Sequence, residues 1–233
     1  MTLYKHYSFD LWMTLIRSNP SFKKERAKFF FSNFNGTHKT LDDIERIFRR
    51  VDSMCNLINE KTGGNIDSEE LYLMVIYEMN DHQDLYPDMD LRWLYEQMEQ
   101  LVLKYIPVVY DSHTVDTLSK IKERADTSLS LLSNTAFIKG ITLRKVLKQL
   151  ELDRFFDFQL YSDESGMSKP NDRFFRQMVE QVVSHRQERK IQLNEIIHVG
   201  DNRHADIYGA EAIGIRSLLV HSNQNTLSSL LQL

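Results

Sequence analysis

Cysteine is almost absent from this chain: Cys55 is alone among 233 residues, so no intrachain disulfide can form and no thiolate metal centre can be assembled. Long apolar runs are missing as well. No stretch approaches the roughly 18 consecutive apolar residues of a membrane-spanning helix, and no apolar run near the start is long enough for a signal peptide. There is no basic surplus. The formal net charge of −4 argues against a general nucleic-acid binder, and the most basic stretch, Arg46 to Arg50, falls within a helical pattern as a solvated face. Neither an internal repeat nor a low-complexity segment is visible. A reducing, cytoplasmic setting is expected, with no membrane partner and no nucleic-acid partner. Nothing in the sequence specifies an oligomeric state.

What is present is an ordinary globular composition, 42% hydrophobic and 27% charged, enough to bury a sizeable core. Two textures alternate along it. Short apolar or β-rich runs occupy 3–9, 128–132, 196–199 and 215–220, with a further strand expected at "YS" 161–162. Helical periodicity covers 111–124, 138–150 and 171–187 between them. Strands alternating with helices predict a parallel sheet covered on both faces, an α/β fold with a Rossmann-like three-layer core. Residues 18–105 differ, for they show amphipathic helices and no convincing strand. In "LDDIERIFRRVDSMCNLI" an apolar stripe runs through Leu41, Ile44, Ile47, Phe48, Val51, Met54, Leu57 and Ile58. Asp67 with Glu70 forms a capping-box pattern before "LYLMVIYEM". The predicted organisation is a core of 1–17 and 106–233 with an all-α cap domain, 18–105, inserted above the first strand.

Polar residues cluster where strands end. Asp10 follows the first run, Ser133 and Asn134 follow "SLSLL", and Asp201 follows "IIHVG". In open α/β sheets, ligands sit beyond the carboxyl ends of the strands, so neighbouring strands would bring these groups to one place. Lys169, in "GMSKPNDRFF", stands just before a helix start. Taken singly, Asp10 fits a turn, Ser133 a helix cap, Lys169 the surface, and Asp201 and Asp206 a loop and helix start. Asp10, Thr14, Ser133, Lys169, Asp201 and Asp206 together are better explained as one site.

The same residues carry a resemblance. "FDLWMTL", "LLSNTAF", "SKP" with "RFF", and "VGDNRHADIYGAEAIGI" resemble, in order, the four motifs of the haloacid dehalogenase-like hydrolase superfamily. The match covers roughly 1–17 and 107–222, and the helical block resembles that superfamily's cap. The resemblance implies that Asp10 is a nucleophile forming an aspartyl-phosphate, with Lys169, Ser133 and Asn134 binding the phosphoryl group and Thr14 orienting the first loop. It implies Mg²⁺ held by Asp10, Asp201 and the Trp12 backbone carbonyl, with Asp206 binding directly or through water, or holding Lys169 in place. The implied substrate is a small phosphorylated metabolite.

One position departs from the pattern. The superfamily's phosphatases carry a second Asp two residues after the nucleophile as general acid and base, where this chain has Trp12. Indole N–H is not usefully acidic and offers no basic site. Trp12 reads as an aromatic wall beneath the cap, and His204 is a candidate replacement acid. The 2-haloacid dehalogenases also carry an aromatic residue there and need no acid, because halide leaves without a proton. They lack the paired metal carboxylates, however, and dispense with Mg²⁺. A low-turnover regulatory or binding protein is a third reading. A phosphonate hydrolase is a fourth, but no lysine is marked for its Schiff base. The cap side chains facing the site are not legible, and Tyr72, Tyr77 and Arg46 are candidates only by lying on cap helices. The 13 Phe and 10 Tyr are expected to serve cap–core packing.

Overall fold

β1 (His6–Phe9) lies at the centre of a five-stranded sheet, flanked by β4 (Ser128–Ser133) and β6 (Ile196–Gly200). β5 (Phe158–Tyr161) and β7 (Arg216–Leu219) close the two edges, giving the order β5-β4-β1-β6-β7 with every pairing parallel. The computed structural model describes residues 4–186, 191–221 and 225–232. Residue 187, the last of the third predicted helix, lies outside these, as do residues 1–3, 188–190, 222–224 and 233 of the predicted core.

Side-chain alternation along the strands separates two apolar layers. Leu129 and Leu131 of β4 and Ile197 and Val199 of β6 pack with Leu118 and Ile121 of α5 (Thr114–Lys122) and Leu143, Val146 and Leu147 of α6 (Gly140–Gln149). Leu132 and Ile196 point the other way, into a cluster with Phe174, Phe175, Met178 and Val182 of α8 (Asp172–Arg186). The core is therefore the expected Rossmann-like α/β arrangement. Among the described residues, the short α7 (Ser162–Ser165) and α9 (Gly209–Ala212) are its remaining α-helices.

Between β1 and β4 the chain leaves the sheet. β2 (Ile16–Arg17) and β3 (Val108–Val109) pair antiparallel, tying the outgoing and returning segments together. Among them run α1 (Pro20–Phe34), α2 (Leu41–Thr62), α3 (Ser68–Met79) and α4 (Leu91–Lys104). These helices have an apolar cluster of their own, built on Phe30, Phe48, Val51, Tyr72, Val75, Leu94 and Met98, and Phe137 from the loop after β4 enters it. The predicted capping box is present: Asp67 N–H donates to Glu70 at 2.9 Å. The β2–β3 pair was not expected from sequence, because two-residue strands carry no periodic signal.

The apolar stripe of α2 differs from its predicted course. Ile44, Ile47, Phe48 and Val51 are buried, but the buried line continues through Cys55 and Asn59, while Leu41, Met54, Leu57 and Ile58 are exposed. Over 22 residues a helix drifts from any fixed spacing, and the neighbouring α1 and α3 decide which residues it covers. Of the described residues, no helix is long and apolar enough to cross a membrane.

Candidate active site

Asp10 leaves the end of β1 with its N–H bonded to the Val199 carbonyl at 2.9 Å, so the backbone of the adjacent strand fixes where the carboxylate starts. The chain then turns tightly: Met13 adopts a left-handed conformation, φ 60°, and its N–H donates to the Ile16 carbonyl at 2.7 Å. That turn brings Thr14 back beneath Asp10, where its hydroxyl donates to Asp10 Oδ2 at 3.0 Å. Thr14 is fully buried, and its bond is to the carboxylate itself.

Lys169 is only 1% exposed and donates to two acids, Asp10 Oδ1 at 2.7 Å and Asp206 Oδ1 at 2.6 Å. Its backbone is held by the Asn134 side chain, which accepts from Lys169 N–H at 2.7 Å and donates to the Lys169 carbonyl at 3.0 Å. Ser133, the last residue of β4, is buried, and its hydroxyl donates to the Asn134 carbonyl at 3.2 Å. Asp10, Trp12, Asn134, Lys169, Asp201 and Asp206 all line one cavity of about 450 Å³, whereas Ser133 and Thr14 stand behind its wall.

Asp206 sits in a single π-helical turn, Arg203–Tyr208, capped by Asn202, whose side chain accepts from the N–H groups of His204 and Ala205. Besides Lys169, Asp206 Oδ1 faces His198 Nε2 at 3.1 Å, and Oδ2 accepts from Asn202 N–H at 3.0 Å. His198 Nδ1 meets Ser8 Oγ at 2.9 Å. A buried polar line thus runs from Ser8 on β1 through His198 on β6 to Asp206, Lys169 and Asp10. Ser8 and His198 went unnoticed in the sequence, although a histidine inside an otherwise apolar strand needs buried partners and so signals them. Gly200 makes this approach possible, since a Cβ there would lie 2.2 Å from Asp206 Cγ.

Burial, reinforced by Asp206 and Asp201 but opposed by Lys169, pushes the Asp10 carboxyl up to about 7. Burial also raises Asp201, with Asp206 adding to the effect. Asp206 moves the other way: burial resists its ionisation, but Lys169 and His198 outweigh it and hold it well below the usual carboxylate range. Burial likewise opposes the charge on Lys169, and Asp10 and Asp206 overcome it. Carboxylate oxygens of Asp10, Asp201 and Asp206 lie within 4.8 Å of one another. Three acids around one ammonium leave a deficit of positive charge, and an all-oxygen donor set suits a hard divalent cation.

The far wall of the cavity comes from α1 and α2, and it does not include Tyr72, Tyr77 or Arg46. Tyr72 is buried in the helical cluster, donating to the Phe137 carbonyl at 3.0 Å, while Tyr77 is exposed and Arg46 pairs with Asp43 outside. Glu45, Arg49, Asp52, Asn56 and Glu60 of α2 face the cavity instead, with Phe22 and Arg26 of α1. Their spacing of 4, 3, 4 and 4 along α2 is one helical face, so the signal was in the sequence as a polar stripe beside the apolar one. Glu60 joins this wall to the strand-end loops: Asn202 Nδ2 donates to it at 3.0 Å, and His204 Nδ1 lies 3.5 Å from its other oxygen.

With this geometry in view, the chain can be set beside known proteins. A strand-end carboxylate, a buried lysine and an acidic turn at neighbouring strand ends mark a class of α/β hydrolases. The match to the haloacid dehalogenase-like hydrolase family spans residues 8–220, and the chain belongs to that family. The glyceraldehyde 3-phosphate phosphatase of Pyrococcus furiosus is 34% identical over 74 residues, 32% of this chain and 28% of that protein. The ribulose-1,5-bisphosphate 5-phosphatase of Halopiger xanaduensis is 26% identical over 169 residues, 72% of this chain and 65% of that one. The chain thus spans less than two thirds of either relative. Among solved structures, a HAD-hydrolase from Bacillus subtilis bound to magnesium superposes with TM-score 0.70 at 16% identity, covering 95% of this chain and 91% of the other. A 2-haloacid dehalogenase from Pseudomonas syringae gives 0.65 at 17% identity, covering 98% and 97%. At such identities the shared feature is the fold.

Proposed function

We propose that this chain is a Mg²⁺-dependent phosphohydrolase of small phosphorylated molecules, with residues 18–105 serving as the cap over the site. The observation that carries the proposal is the set of three carboxylates whose oxygens lie within 4.8 Å, with Lys169 bonded to two of them. Such a cluster is costly unless a cation completes it. Asp10, Asp201 and the Trp12 carbonyl would hold the ion. Asp206 already accepts Lys169, His198 and Asn202 N–H, which favours its role as the holder of Lys169 over direct ligation. When bound, Mg²⁺ would supply positive charge that keeps Asp10 ionised and offsets repulsion between it and an incoming phosphoryl group.

The chain's own residues then have distinct tasks. Asp10, aimed by Thr14 and Lys169, attacks phosphorus and forms an aspartyl-phosphate as the substrate oxygen leaves. Lys169 offsets charge on the phosphoryl oxygens. The Asn134 clamp and Ser133 behind it keep the Lys169 backbone in register. Trp12 supplies no proton, so an alkoxide must leave with one taken from solvent or from the substrate. His204 is half exposed and faces Glu60, an arrangement that suits bridging the two walls better than serving as the acid.

Release of inorganic phosphate from 4-nitrophenyl phosphate, measured with Mg²⁺ and with a chelator, tests the proposal. Activity is expected only with Mg²⁺, falling by about 10³-fold or more in Asp10→Asn because the covalent route is lost. Activity undiminished by chelation would overturn it. A dehalogenase reading is favoured by one observation, the aromatic Trp12 on the cavity wall. It predicts chloride release from 2-chloropropionate without metal, and it leaves the three clustered acids unexplained.

A further inference from the structure

Among the described residues, Arg26 is the one strongly buried cation on the wall facing the strand ends. It is 8% exposed and lines the same cavity as Asp10 and Lys169. Its guanidinium lies over three rings, 3.9 Å from the centroid of Phe48, 4.8 Å from Phe137 and 5.3 Å from Phe22. Its Nε has no hydrogen-bond partner. Among the described residues no carboxylate reaches ion-pair distance of it. Asp52 and Glu45 act on it only through longer-range attraction, and Tyr72 is a neutral partner. Aromatic faces stabilise a cation, but they do not replace the hydration lost on burial. Among the described residues, this buried and caged guanidinium has no ion pair, and it opens on a substrate-sized cavity.

We propose that Arg26 determines specificity by receiving a carboxylate that the substrate carries in addition to its phosphoryl group. The inference rests on the phosphohydrolase reading above. A carboxylate fits the planar fork of the guanidinium in a bidentate way. A second phosphate would bring up to two negative charges into a cavity that already holds Asp52, Asp201 and Asp10. A hydroxyl would leave the cation uncompensated, and an amine would repel it. The substrate class is therefore the phosphomonoester of a small hydroxycarboxylic acid.

A three-carbon series tests this: 3-phosphooxypropionate, propyl phosphate, 3-aminopropyl phosphate and 1,3-propanediol bisphosphate. Affinities are measured by calorimetry on the wild-type chain in a chelator, where turnover is not required, and hydrolysis is measured in parallel with Mg²⁺. The carboxylate compound is expected to bind at least about tenfold more tightly than propyl phosphate, with the amine weakest. In Arg26→Gln the ratio between the first two falls to about 1, and Arg26→Lys restores part of it. Because loss of a stacked guanidinium can loosen the helical block, the wild-type series is decisive by itself. Equal affinity for the carboxylate and propyl compounds, or tightest binding of the bisphosphate, overturns the inference. A carboxylate preference in binding with no phosphate released from any compound supports Arg26 as the anion receptor and sinks the phosphohydrolase reading instead.

Discussion

At the scale of single residues, two positions concentrate the chemistry. Gly200 has no side chain because the Asp206 carboxylate occupies the space a Cβ would need. In Gly200→Ala the carboxylate must move off Lys169 and His198. Phosphate release is expected to drop by about 10²-fold, the scale of a misplaced catalytic group, while circular dichroism stays native. Trp12 is the other position. Trp12→Asp introduces a carboxyl where the family's phosphatases keep their acid, a group worth about 10²–10⁴-fold when positioned. The gain should be larger for alkyl phosphates than for 4-nitrophenyl phosphate, whose leaving group departs readily without a proton. Equal rates for wild type and variant on both would show that proton transfer does not limit turnover. Asp10, Thr14, Lys169, Asp201 and Asp206 were all visible as residues in the sequence. The lysine's burial between two acids was not, since nothing in "SKP" distinguishes a buried lysine from a solvated one.

Among the elements, α1 and α3 are joined end to end by Asn80. Its side-chain amide donates to the carbonyls of Phe34 at 2.9 Å and Ile76 at 2.8 Å, and its Oδ1 accepts from Gly36 N–H at 2.9 Å. It is fully buried, so removal strands the Phe34 carbonyl and the Gly36 N–H at the end of α1, while the Ile76 carbonyl keeps the Asn80 backbone N–H at 3.2 Å. Asn80→Ala is expected to destabilise the fold by about 2–4 kcal/mol, read from the midpoint of urea unfolding, on the scale of unsatisfied buried groups. The helices of the α/β layer were legible because one face of each is apolar at a regular period. On α2 that period was misjudged by part of a turn. Its polar face toward the cavity was overlooked, because amphipathicity alone does not say whether a polar face meets water or a ligand.

For the whole molecule, the centre of the sheet carries an acid liability. His6, on β1, is fully buried with its ring nitrogens facing Ser128 Oγ at 2.8 Å and Ser130 Oγ at 2.9 Å. Burial, with Arg186 also opposing the charge and Asp157 favouring it, brings it down to about 3. The unfolded chain takes up this proton below about pH 6.5, whereas the folded one does not until near pH 3. Stability is therefore intact above 6.5 and declines as the pH falls through that window. The fully developed slope is about 1.4 kcal/mol per pH unit from this group. His198, also held neutral by burial, adds to it. Urea unfolding between pH 7 and 5 should show the decline, and His6→Gln should reduce its slope; an unchanged slope would mean that His6 charges in place.

Composition, strand–helix alternation and the spacing of Asp10, Ser133, Lys169 and Asp201 were enough to read an α/β core with a helical insertion and a polar site at its strand ends. These are local properties, set by periodicity and by where apolar runs stop. Only the tertiary structure decided that Asp206 accepts from Lys169, that Thr14 donates to Asp10, and that Arg26 lies among three rings. Each depends on residues far apart in the chain meeting where water is excluded, and there the worth of a charge is set by its neighbours.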